Sequence, residues 1–139
     1  MQGLRSIAAV VAGFGFMAAT VMVGTILATA LFLPAGLAGT GSTAAVPVMF
    51  LVASLVVTFL GAVFGGWLAA RIGMAAPMAH AAALAALIAV LAVVSASAPQ
   101  GTGQPPWYPI ASGAIGVAGV LLGGKLRAAA ASGAGAVVA

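Results

Sequence analysis

The chain has 139 residues, of which 65% are hydrophobic and 3% charged. A soluble domain carries about 25% charged residues to keep its surface in water, so this composition excludes one and predicts an all-α integral membrane protein. The charge is made of four Lys/Arg with no Asp or Glu. The basic balance therefore reflects missing acids, and it is too sparse for nucleic acid, which takes a clustered basic stripe.

The first predicted span runs from about Ile7 to Leu33 and stops at Pro34. Its apolar run is longer than the 7–15 residues of a secretory signal core, so it reads as a membrane helix retained in the protein. Span two covers about Val48–Ile72 after Pro47, span three about Met78–Ala96 after Pro77, and span four about Tyr108–Leu126 after "QPPW". Each approaches or exceeds the roughly 20 apolar residues that cross the hydrocarbon core. Proline suits a helix start, where its missing N–H leaves nothing unsatisfied. Residues 1–127 thus form one four-helix transmembrane domain in an up-down bundle. The tail "AAAASGAGAVVA", 128–139, is short, apolar and uncharged, and is expected to be a frayed helix end or disordered.

Four spans place both termini and the second loop on one side of the membrane. Arg5 precedes span one, Arg71 closes span two, and Lys125 and Arg127 close span four, so all four charges share that side. The positive-inside rule makes it cytoplasmic. With no carboxylate side chain in the chain, these anchors are expected to face lipid phosphates or the acids of another protein. Trp67 then lies near the inner interface and Trp107 with Tyr108 at the outer one, where amphipathic rings settle.

Spans two and four align without gaps at an offset of 58 residues, with 8 identities in 24 positions. Roughly 3 would arise by chance in so biased a composition. Ala53 and Ser54 match Ala111 and Ser112; Gly61, Gly65 and Gly66 match Gly119, Gly123 and Gly124. The reading is a duplicated helical hairpin in parallel orientation, an arrangement some transporters use. Gly61/Gly65 and Gly119/Gly123 each form G-x-x-x-G. Ser54, Thr58, Ala62 and Gly66 make a second small-residue row, and Thr20, Gly24 and Ala28 a third. Burial from water does not drive helices together in lipid, whereas close van der Waals contact between small residues does. These glycines are expected to pack helices, inside the bundle or between chains.

Chemistry-bearing residues are scarce. Without Asp or Glu there is no carboxylate general acid, nucleophile or proton carrier, and without cysteine no disulfide or thiolate metal site. No catalytic residue, metal site or cofactor is predicted, and the chain is read as a non-enzyme. His80 is the sole histidine. Ala76-x3-His80-x3-Leu84 matches the A-x-x-x-H-x-x-x-L pattern of light-harvesting polypeptides, which makes His80 the one candidate ligand for a pigment or haem.

Two stretches, "GGWLAARIGMAAPMAHA" (65–81) and "PPWYPIASGAIGVAGVLLGGKLR" (105–127), resemble an uncharacterised family of small four-helix bacterial inner-membrane proteins. Its pattern is a glycine pair, aromatic and basic residue ending span two, then P-x-x-H-A, W-Y-P, and a glycine pair beside basic residues ending span four. The resemblance implies a bacterial cytoplasmic membrane location and carries no activity. Three functions are expected, in this order. The first is a structural or accessory subunit packing through its small-residue faces with a membrane-protein partner or with itself. A small channel or transporter for a neutral or lipidic solute comes second. A pigment- or haem-binding protein through His80 is third.

Overall fold

The computed structural model describes residues 2–32, 46–73, 76–97 and 104–136, with side chains described for 6–32, 46–73, 76–97 and 104–133. It holds four helices: α1 (Gln2–Phe32), α2 (Val48–Ile72), α3 (Pro77–Ser97) and α4 (Tyr108–Ala136). All four are long and apolar enough to cross a membrane, so the protein is a four-helix membrane bundle. Between the spans, residues 33–45, 74–75 and 98–103 lie outside the described residues.

The prolines act as expected. Pro47 caps α2, its carbonyl accepting from the N–H groups of Phe50 and Leu51 at 3.0 and 3.3 Å. Pro77 opens α3, and a turn at Pro106–Trp107 leads into α4, where the Tyr108 N–H donates to the Pro105 carbonyl at 3.0 Å. α2 ends at Gly73, whose N–H closes on the Ala69 carbonyl at 3.0 Å.

Two boundaries differ from the hydropathy reading. α1 begins ahead of Ile7, because apolarity marks the membrane segment while backbone hydrogen bonding sets the helix. α4 runs through the basic pair and into the tail as far as Ala136. Ala128–Ala131 carry the highest helix propensity of any residue type, which suits a helix that continues into the tail.

The helices do not pack in chain order. α2 and α4 form the central pair. α1 lies along α2, α3 lies along α4, and α3 also leans on α2. The backbones of α1 and α4 do not approach each other. α1 meets α3 at Gly13 and Leu84, in the half of the bundle that carries the charges. Here the core is made of small residues: Ala62, Ala69, Ala81, Leu84 and Val120 are fully enclosed. Large side chains such as Ile7, Val11, Met22, Leu31, Val90 and Val93 point outward. That inversion of a soluble protein's pattern follows from a solvent as apolar as leucine, in which tight contact and not burial of bulk holds helices together.

Candidate functional site

The predicted packing glycines all face neighbouring helices within the bundle. A Cβ added at Gly61 would meet Thr20 of α1 at 3.3 Å, and one at Gly65 the Gly13 carbonyl of α1 at 2.8 Å. At Gly66 it would run into the Val120 backbone of α4, with Cα at 2.7 Å. On α4, Gly119 faces Ala62 (2.8 Å) and the Phe59 carbonyl (3.0 Å) of α2. Gly123 faces the Val63 carbonyl and the Trp67 nitrogen (2.8 Å), and Gly124 faces Ala81 of α3 (2.5 Å).

The aligned glycines therefore serve different neighbours. Gly65 contacts an outer helix whereas Gly123 contacts the central partner; Gly66 contacts the central partner whereas Gly124 contacts an outer helix. The 58-residue match does not extend to equivalent contacts, because α2 and α4 present different sides to each other.

At the charged end, Arg71 is exposed and its guanidinium stacks over the Trp67 ring, 5.1 Å from the centroid. This cation–π contact holds the charge beside an interfacial ring. Lys125 is exposed and Arg127 partly so; Arg5 lies near the start of α1. His80 packs its ring on Gly73, and its Nδ1 lies 2.8 Å from the Ala76 carbonyl. An imidazole nitrogen next to a carbonyl must donate, which leaves Nε2 as the free nitrogen. His80 lines neither of the two cavities described next. At the uncharged end, Trp107 is exposed and meets Tyr108 edge-on, with centroids 6.1 Å apart.

The uncharged half of the bundle contains a cleft of about 670 Å³. It lies between α1 and α3, with α2 and α4 behind them. Phe14, Met17, Val21 and Thr25 of α1 form one wall, and Ile88, Leu91, Ala92 and Ser95 of α3 the other. The back is Phe50, Ser54 and Thr58 of α2 with Tyr108, Pro109, Ser112 and Gly113 of α4; Gln104 stands at the mouth. Gly116 lies below, 3.1 Å from Ile88 and 3.5 Å from the Met17 methyl as measured from an added Cβ. A second, almost wholly apolar groove of about 440 Å³ runs between α1 and α2 over Gly24 and Val57.

The cleft is apolar at its floor and lined with hydroxyls above. In lipid a polar side chain must find a partner within the protein, and two here use their own helix. Thr58 donates to the Ser54 carbonyl at 2.8 Å and Ser112 to the Pro109 carbonyl at 3.0 Å. Ser54 does not. It is 5% exposed, and its Oγ has no hydrogen-bond partner among the described residues. The Tyr108 hydroxyl is its polar neighbour in the cleft wall. An unpaired buried hydroxyl costs about 1–3 kcal/mol.

Sequence reasoning placed Ser54 and Thr58 in one row with Ala62 and Gly66. The structure divides that row: Ala62 and Gly66 seat α4, whereas Ser54 and Thr58 open onto the cleft. Tyr108 was expected only as an interfacial ring, yet it lines the cleft as well. A usable signal was present, since Thr25, Ser54, Ser95 and Ser112 all fall in the span halves remote from the cations.

No protein-family model, curated protein or solved structure significantly matches this chain.

Proposed function

We propose that the protein binds a neutral or lipidic solute in the hydroxyl-lined cleft, as a small transporter or channel would, and that it is not an enzyme. The observation that carries this is the cleft itself: about 670 Å³, within the 300–1,000 Å³ typical of small-molecule sites. Its described lining lies in the uncharged half of the bundle, above the glycine contacts of Gly13 and Gly116. An accessory subunit docking through its small-residue faces has less support, because the glycines of both G-x-x-x-G motifs contact helices of the same chain. Pigment or haem binding through His80 has no cavity beside it among those described. By the positive-inside rule, the cationic end with Arg5, Arg71, Lys125 and Arg127 faces the cytoplasm and the half holding the cleft faces outward. The sequence resemblance supports a bacterial cytoplasmic membrane as the location.

The test is to purify the protein in native-lipid nanodiscs and compare its organic extract with that of a Thr25→Trp variant, whose indole fills the cleft from α1. A neutral species enriched over bulk lipid in the parent and lost in the variant supports the reading. Identical extracts, together with equal flux of neutral solutes in liposomes, refute it.

A further inference from the structure

We infer that Ser54 and Tyr108 form the polar anchor of the cleft and select a neutral amphiphile with a single hydroxyl or carbonyl head, whose apolar tail runs along the floor. This rests on the cleft being a binding site, and it adds which chemistry that site reads.

Three observations converge. The first is the orphan hydroxyl. Ser54 is buried, faces the cleft and has no partner among the described residues, whereas Thr58 and Ser112 beside it already donate to backbone carbonyls. Ser54 Oγ and the Tyr108 hydroxyl are neighbouring groups in the cleft wall that can each donate and accept. A ligand oxygen reaching this pair would meet both hydroxyls. In a low-dielectric site the gain from that match is larger than in water.

The second is the absence of charge. The chain has no Asp or Glu, so a cationic head has no carboxylate to meet. Among the described side chains, Arg71, Lys125 and Arg127 are at the other end of the bundle, so an anionic head has no cation. Burying an unpaired charge is prohibitive, while a neutral head needs only hydrogen bonds.

The third is the gradient. Ser54 is about 9 Å along α2 from its first residue at 1.5 Å per residue, so the anchor sits below the interface. Phe14, Met17 and Ile88 lie deeper still and offer only apolar surface. A head held at Ser54 leaves its tail against them.

The experiment uses the full chain in lipid nanodiscs in a Trp67→Phe background, so that Trp107, next to Tyr108, is the only tryptophan. Energy transfer to three pyrene-labelled probes of equal chain length is titrated: a primary alcohol, the matching alkane, and the matching sulfonate. The alcohol is expected to bind saturably and more tightly than the other two. Ser54→Ala and Tyr108→Phe are each expected to weaken the alcohol by roughly 3- to 10-fold, the size of one net hydrogen bond, and to leave the alkane unchanged. If alcohol and alkane bind alike, both lose binding in Thr25→Phe, which fills the cleft without adding a second tryptophan, and neither responds to Ser54→Ala or Tyr108→Phe, the anchor is overturned while the cleft stands as a site. Sulfonate binding as tight as the alcohol's overturns the neutral-head selection. The absence of saturable transfer from any probe overturns the anchor and the cleft reading together. Both substitutions remove one oxygen and retain volume, and helical content measured alongside verifies that each variant is folded.

Discussion

Glycine substitutions separate close helix contact from helix propensity, and the two have opposite signs. Consider Gly123→Ala. The added methyl would press on the Val63 carbonyl, lie 2.9 Å from the Val63 carbonyl carbon and 2.8 Å from the Trp67 nitrogen. All three atoms are backbone, so no rotamer change relieves the overlap and the central α2–α4 pair must separate. Overpacking of this kind costs about 1–3 kcal/mol, and contact with backbone on three atoms puts it near the upper end. Replacing a mid-helix glycine with alanine returns about 0.5–1 kcal/mol, leaving a net loss of about 2 kcal/mol by difference. Gly15 provides the control. It lies in α1, and nothing stands within 4 Å of its added Cβ, so Gly15→Ala keeps the propensity term alone and should gain about 0.5–1 kcal/mol. Reversible unfolding in mixed micelles, followed by tryptophan fluorescence and by circular dichroism, measures both. If Gly123→Ala equals or exceeds the parent in stability, or if both variants shift in the same direction, the assigned α2–α4 contact is wrong.

Ser54→Ala should leave the ligand-free protein as stable as the parent or more so, by up to about 1 kcal/mol, since it removes an unpaired buried hydroxyl; the same unfolding assay reads it, and a clear loss would mean that Ser54 has a partner. Gly73→Ala should destabilise the α2–α3 connection, because the methyl would fall on the His80 ring, with Cγ and Cε1 in its path. A His80→Ala background should relieve most of that loss, giving a coupling of about 0.5–3 kcal/mol in a double-mutant cycle, the range for residues in contact; strict additivity would show that the ring is elsewhere. For topology, single cysteines in this cysteine-free chain at Ala76 and Pro106 should react oppositely with an impermeant maleimide applied to intact cells. Pro106→Cys labels and Ala76→Cys labels only after lysis; the reverse pattern inverts the proposed orientation.

The four spans were legible because a membrane helix is specified by length and apolarity, which single-sequence reading captures directly. The proline starts were legible for an equally local reason. The cleft was not. Ser54 and Ala62 occupy one row on α2, and nothing along that row says that one faces open space and the other faces α4. That distinction depends on which helix lies opposite each position, α4 at Ala62 and the cleft between α1 and α3 at Ser54, not on the residues of the row itself. The repeat shows the same limit from the other side. Identity at Gly65/Gly123 and Gly66/Gly124 is real in the sequence, yet the paired glycines meet different neighbours, since a helix face takes its role from what lies opposite. For the tail, apolar and uncharged residues say little about where a helix stops, whereas the alanine content of 128–131 favours continuing α4 to Ala136.

The pairing of α2 with α4 also bears on how the protein is made. These two helices are not neighbours along the chain, and α3 is threaded between them in order of synthesis. When α1, α2 and α3 have entered the membrane, the α2 surface around Phe59, Ala62, Val63 and Gly66 still lacks the helix it is shaped for. Tight backbone contact there begins only when Gly119, Val120 and Gly123 arrive. Assembly of the centre is therefore a late event, and a ribosome stalled before α4 leaves an intermediate whose most contact-hungry surface is open to the bilayer and to whatever quality-control machinery patrols it.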